Sequence, residues 1–133
     1  MHLIINPSDI YYLTGVRPHD PGEMFILQKE NEGVIFCDAR TSALFNSQKY
    51  EIIDDRKKWE DAFKKYSEVY TDPDFLTRTL QEKIEKYGVQ LHMQKSPITE
   101  KRIIKSPEEI QKLRTSQEMN KKVYEQILPL LVP

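Results

Sequence analysis

The side chains best suited to chemistry in this sequence gather in one short stretch. Arg17, His19, Asp20 and Glu23 follow one another among Pro18, Pro21 and Gly22. Polar loops held on rigid scaffolds often carry function. A loop rich in Pro, Asp and Arg is also what plain solvation produces, and both readings stand at this point. Metal-dependent hydrolysis finds no support in the histidines. His2, His19 and His92 show no ligand spacing of the H-E-x-x-H kind. The lone Cys37 sits in an apolar run with no basic neighbour in sequence, so it reads as a small core residue in a reducing cytosol.

The loop needs a support, and the residues before it supply one. An apolar strand, His2–Ile5, runs into Asn6-Pro7, where Asn6 or Ser8 can accept a first-turn N–H and Pro7 already has a helical φ. Ile10, Leu13 and one of the two tyrosines then share a face. Gly15 is placed to end the helix in a left-handed conformation. Tyr11 and Tyr12 read first as core, because a short amphipathic helix buries tyrosine rings readily.

Further on, Met24-Phe25-Ile26-Leu27 and Val34-Ile35-Phe36 flank a polar link containing Gly33, the pattern of an antiparallel hairpin covered on both faces. Asp38 and Arg40 read as a local cap or pair. Thr41–Phe45 reads as a short helix and Tyr50–Ile53 as a strand. Trp59, Ala62, Phe63 and Tyr66 mark a helical stripe, and Val69–Thr71 a return to the sheet. Asp72-Pro73 is predicted to open a helix that Leu76, Leu80, Ile84 and Tyr87 continue and Gly88 stops. Val89, Leu91 and Met93 alternate with polar residues as a half-buried strand does, which leaves His92 facing solvent. Strands separated by helices argue for an α/β fold: a mixed β-sheet flanked by helices.

The last stretch opens with a capping box, Ser106-Pro107-Glu108-Glu109. The helix it starts is expected to reach Leu128 and stop before Pro129. About 22 residues give roughly 33 Å, against an expected radius of gyration of ~14 Å for a domain of this size. With the apolar run Leu128–Val132 at its far end, this helix leads us to expect a further domain beyond it. The expected organisation is a domain over 1–104 and a linker helix over 105–133.

Composition narrows the classes. The 133 residues suit one domain. Twenty basic residues against 21 acidic ones give a net charge of −1, which favours neither nucleic acid nor an anionic membrane as partner. No apolar run approaches the ~18 residues of a membrane span, and no secretion signal is recognisable. We therefore expect a cytoplasmic protein.

Three runs together resemble a known family. Ser8-Asp9-Ile10-Tyr11-Tyr12-Leu13-Thr14-Gly15 is similar to the "N-I-x-Y-L-T-G-F" signature that opens the N-terminal domain of the creatinase, prolidase and aminopeptidase P family, with Asp9 for the usual Asn and Val16 for the usual aromatic. Val34–Arg40 resembles the family strand ending in "D-x-R-Y", with Thr41 at the tyrosine. Arg102–Ile110 resembles the "R-x-I-K-s-x-x-E-I" run that opens the helix between the family's two domains.

The resemblance implies a creatinase N-terminal, ribonuclease-H-like fold and a parent enzyme that hydrolyses X–Pro bonds. Two divalent metal ions would sit in a C-terminal catalytic domain, and this chain would hold no cofactor and be inactive alone. It also implies dimerisation, with the loop after "Y-L-T-G" approaching the partner subunit's cleft and a proline-containing peptide. On that reading Arg17 holds a substrate carboxylate by a bidentate contact. His19 donates to a substrate carbonyl or binds a carboxylate, and Tyr12 or Asp38 braces the loop. Two other readings stay open: a stand-alone peptide- or protein-binding module, and a creatinase-type amidinohydrolase fragment.

Overall fold

Short apolar runs separated by polar links build this sheet. The computed structural model describes residues 1–18, 24–30, 32–45 and 49–131. β1 (His2–Ile4), β2 (Phe25–Lys29), β3 (Glu32–Phe36), β4 (Tyr50–Ile53), β5 (Glu68–Thr71) and β6 (Gln90–Met93) form a six-stranded sheet in the order β4-β3-β2-β1-β5-β6. β2 and β3 make the expected antiparallel hairpin, with Phe25 opposite Phe36 and Lys29 opposite Glu32. β1 runs antiparallel to β2 and parallel to β5, so Leu3 lies between Leu27 and Thr71. β4 joins β3, and β6 joins β5, both in parallel. The sheet is mixed, as the sequence led us to expect.

Alternate residues feed two separate cores, because successive side chains of a strand point to opposite faces. Leu3, Phe25, Leu27, Phe36, Ile53 and Val69 pack with Trp59, Ala62 and Phe63 of α3 (Trp59–Phe63) and with Leu80 and Ile84 of a later helix (Arg78–Lys86). The rings of Phe25 and Phe36 stack at 4.9 Å, and Trp59 meets Phe25 edge-on at 5.0 Å. Ile4, Met24, Ile26, Ile35 and Cys37 pack on the other face with Ile10 of α1 (Pro7–Thr14) and with Ile98. Both faces of the hairpin are therefore covered.

Several boundaries differ from the sequence reading, each for a local reason. α2 is shorter and earlier, Ala39–Ser42, because Asp38 caps it by accepting from the Thr41 N–H at 2.7 Å. Asp72-Pro73 does not start a helix. Asp72 instead folds a turn, its carboxylate accepting from Asp74 N at 3.1 Å and Ser96 N at 3.3 Å. The helix α4 (Arg78–Lys86) begins five residues later, with Thr77 accepting from Leu80 N as the cap. α5 (Pro97–Ile103) was not expected at all. His92 is half-buried rather than solvent-facing, stacked on Tyr70 at 5.1 Å.

The chain divides into two units, Met1–Thr99 and Glu100–Pro133. The first contains the sheet. The second contains α6 (Pro107–Leu131), opened by the expected capping box: Glu109 accepts from Ser106 N at 2.8 Å, and Ser106 accepts from Glu109 N at 3.2 Å. Contrary to expectation, α6 continues through Pro129. A proline loses one intrahelical bond but keeps a helical φ, and only Leu130 and Leu131 follow it in the helix.

Candidate functional site

The end of α1 leads into the first residues of the loop singled out in the sequence, and the geometry of that helix end is closely specified. Asn6 Oδ1 accepts from Ser8 N at 2.9 Å, which makes Asn6 the cap and leaves Ser8 exposed. Pro7 takes the first helical position. Gly15 closes the helix at φ 72°, donating to Tyr11 O at 2.7 Å. Thr14 then ties helix to loop. Its hydroxyl donates to Ile10 O at 2.7 Å and accepts from Val16 N at 3.1 Å. Val16 leaves α1 on a fixed path, and buried Pro18 follows exposed Arg17.

The sequence-chosen residues fall into three situations. Arg17 is exposed one residue past Val16, free of the core. Tyr12 is 43% exposed and Tyr11 55%, which overturns the expectation that both belong to the core. Ile10 and Leu13 take the inward face instead. His19, with Asp20 and Glu23, lies outside the described residues. Asp38 sits at the end of β3 and serves locally, capping α2 and pairing with Arg40 at 3.2 Å. The Thr41 hydrogen bonds, and then the Arg40 guanidinium, hold its carboxyl below the usual range.

Other reactive groups are quiet. Burial, with Asp54 and Asp38 nearby in charge, pushes the Cys37 thiol up to about 11, so it stays protonated and unreactive at neutral pH. Among the described residues no three His, Cys, Asp or Glu side chains stand together as a metal site. None of their helices is long and apolar enough to cross a membrane.

Sequence reasoning missed two buried carboxylates. Asp9, fully buried, accepts from Thr99 Oγ1 at 2.9 Å and so fixes α1 to the start of α5. The available signal was its place four residues before Leu13, on the inward face of a short helix. Asp72 pairs with Lys95 at 3.5 Å while holding the turn after β5. Both are positioning groups: buried carboxylates satisfied by hydrogen bonds specify geometry.

Residues 1–115 match the family model for the creatinase/prolidase N-terminal domain. The chain belongs to this family. Solved structures agree on the fold of this creatinase/prolidase-type domain. An Xaa-Pro dipeptidase from Bacillus anthracis superposes with a TM-score of 0.78 at 19% identity, over 99% of this chain and 39% of that one. The prolidase from Pyrococcus horikoshii OT3 gives 0.78 at 17%, over 98% and 38%. The X-Pro aminopeptidase from Thermotoga maritima MSB8 gives 0.76 at 15%, over 98% and 41%. The domain thus spans about two fifths of the length of these structures. Comparison with curated proteins returned no match.

Proposed function

We propose that this chain is the non-catalytic N-terminal domain of a metal-dependent Xaa-Pro peptidase of the aminopeptidase P or prolidase type. One observation carries the reading: whole Xaa-Pro peptidases superpose on nearly all of this chain, yet it spans only two fifths of them. The parent protein would supply a C-terminal catalytic domain with two divalent metals, and α6 would lead into it. The domain supports a cytoplasmic homodimer and shapes the partner subunit's cleft. In that role the loop after Gly15 presents Arg17 and His19 to the carboxylate or carbonyl of a proline-containing peptide. Tyr12, exposed beside it, braces the loop from α1. Asp38 contributes less directly, by holding the end of β3 through its cap.

The decisive experiment compares the parent protein with the domain alone on an Xaa-Pro dipeptide, with added divalent metal. Turnover by the parent and none by the domain is the expected result. Arg17→Ala in the parent should raise KM about tenfold or more with kcat little changed, the mark of a lost binding contact. A parent that does not cleave Xaa-Pro bonds would refute the assignment, and an unchanged KM would remove Arg17 from the cleft.

A further inference from the structure

α1 is a short rod, and few of its side chains hold it to the sheet. Of its eight residues only Asp9 and Ile10 are buried. Ile10 enters the apolar core, with Leu13 partly buried beside it. Apolar packing is non-directional, so these two contacts restrain the roll of the helix about its own axis only weakly. Asp9 supplies the direction. Neighbouring residues stand about 100° apart around a helix, which sets Asp9 to one side of Ile10. There its carboxylate accepts from Thr99 Oγ1 at 2.9 Å. A hydrogen bond weakens steeply as its angle departs from linear, so this contact resists rolling where packing does not.

The partner is itself fixed. Thr99 lies in the first turn of α5, and its N–H donates to Ser96 O at 3.2 Å. Ser96 Oγ accepts from Ile98 N at 3.3 Å, and the buried Ser96 N donates to Asp72 Oδ2 at 3.3 Å. Ile98 shares the core that receives Ile10. Polar contacts thus run from the turn after β5, through the start of α5, to α1. At the far end of α1 the Thr14 hydroxyl joins Ile10 O to Val16 N. A roll of the helix would therefore be carried to Val16 and to the exposed Arg17.

We infer that Asp9 and Thr99 lock the roll of α1, and that Asp9 is thereby a positioning residue that acts through Arg17. The lock stands on the contacts above. Its bearing on substrate rests on the peptidase reading, in which Arg17 meets a carboxylate or carbonyl of the peptide.

Two substitutions at one position test both parts. Thr99→Val removes the donor at nearly constant size, and Thr99→Ser keeps it. Thr99 is exposed, so neither change reaches the core. In the 133-residue chain, Thr99→Val should produce NMR relaxation dispersion in the Ile10–Arg17 amides together, with β2 and β3 flat. Thr99→Ser should restore the flat profile. In the parent protein acting on an Xaa-Pro dipeptide, Thr99→Val should raise KM about threefold or more, with kcat within about twofold. Added to Arg17→Ala, it should change KM by less than about 1.5-fold, because the group that the lock positions is gone. A flat profile in Thr99→Val overturns the lock. Dispersion with an unchanged KM, or a KM rise that persists in full without Arg17, overturns the positioning role. A parent that cleaves no Xaa-Pro dipeptide sinks the peptidase reading, and the dispersion profile still decides the lock.

Discussion

Gly33→Ala offers a sharp test of how the hairpin is packed. An alanine methyl at this position would lie 2.5 Å from Leu27 O, 3.2 Å from a ring carbon of Tyr50 and 3.3 Å from Gln28 Cα. The glycine is there because β3 passes close to β2 while the Tyr50 ring lies over it from β4. Overpacking of this sort costs about 1–3 kcal/mol, and the stiffer unfolded chain returns about 0.4–1 kcal/mol. The net loss is about 1–2 kcal/mol, or roughly 3–10 °C in Tm for a domain of this size. Urea unfolding followed by circular dichroism, with the slope unchanged, would measure it. The Tyr50→Ala background separates the two contacts. Removing the ring should relieve only part of the penalty, because the Leu27 carbonyl is backbone and remains. A neutral or stabilising Gly33→Ala, or a penalty that vanishes entirely without Tyr50, would refute the reasoning.

Two further outcomes follow from the site. Thr14→Val strips the hydroxyl that joins Ile10 O to Val16 N. It should cost about 1–2 kcal/mol and speed amide exchange at Val16 more than at Ile10, as read by NMR. Cys37 has a folded value of about 11, whereas an unfolded thiol titrates near 8.5. The unfolded chain therefore loses its proton first, and stability should fall as pH rises from about 8.5 toward 11, by up to about 3 kcal/mol. Cys37→Ala should lack that slope, and parallel slopes in both proteins would contradict the buried thiol.

What the sequence made legible was whatever rests on local periodicity and capping. The hairpin, the Asn6–Gly15 module, the Tyr50–Ile53 strand and the Ser106 capping box could all be read directly. The misreadings came where distant residues decide. Asp72 looked like a helix cap because Pro73 follows it, but Ser96 N, 24 residues away, recruits its carboxylate into a turn. Tyr11 and Tyr12 looked like core because tyrosine buries well, but Ile10 and Leu13 already fill the inward face of a helix with only eight residues. α5 carried no strong stripe, and Ile98 with the Asp9–Thr99 contact holds it in place. The candidate loop was visible as composition, and only the structure showed how Thr14 fixes Val16 at its start.

The place of β1 in the sheet has a consequence for biogenesis. Its antiparallel partner β2 emerges within the next 25 residues of synthesis, but the partner on its other side is β5. The Thr71 hydroxyl donates to Leu3 O across a separation of 68 residues. At about 5–20 residues per second, the ribosome needs roughly 3–14 seconds to deliver it. For that interval Leu3 and Ile4, buried in the finished sheet, stand on an open apolar edge. A nascent chain stalled shortly after β3 should therefore engage hydrophobic-strand holdases strongly, and one stalled well past Thr71 should release them.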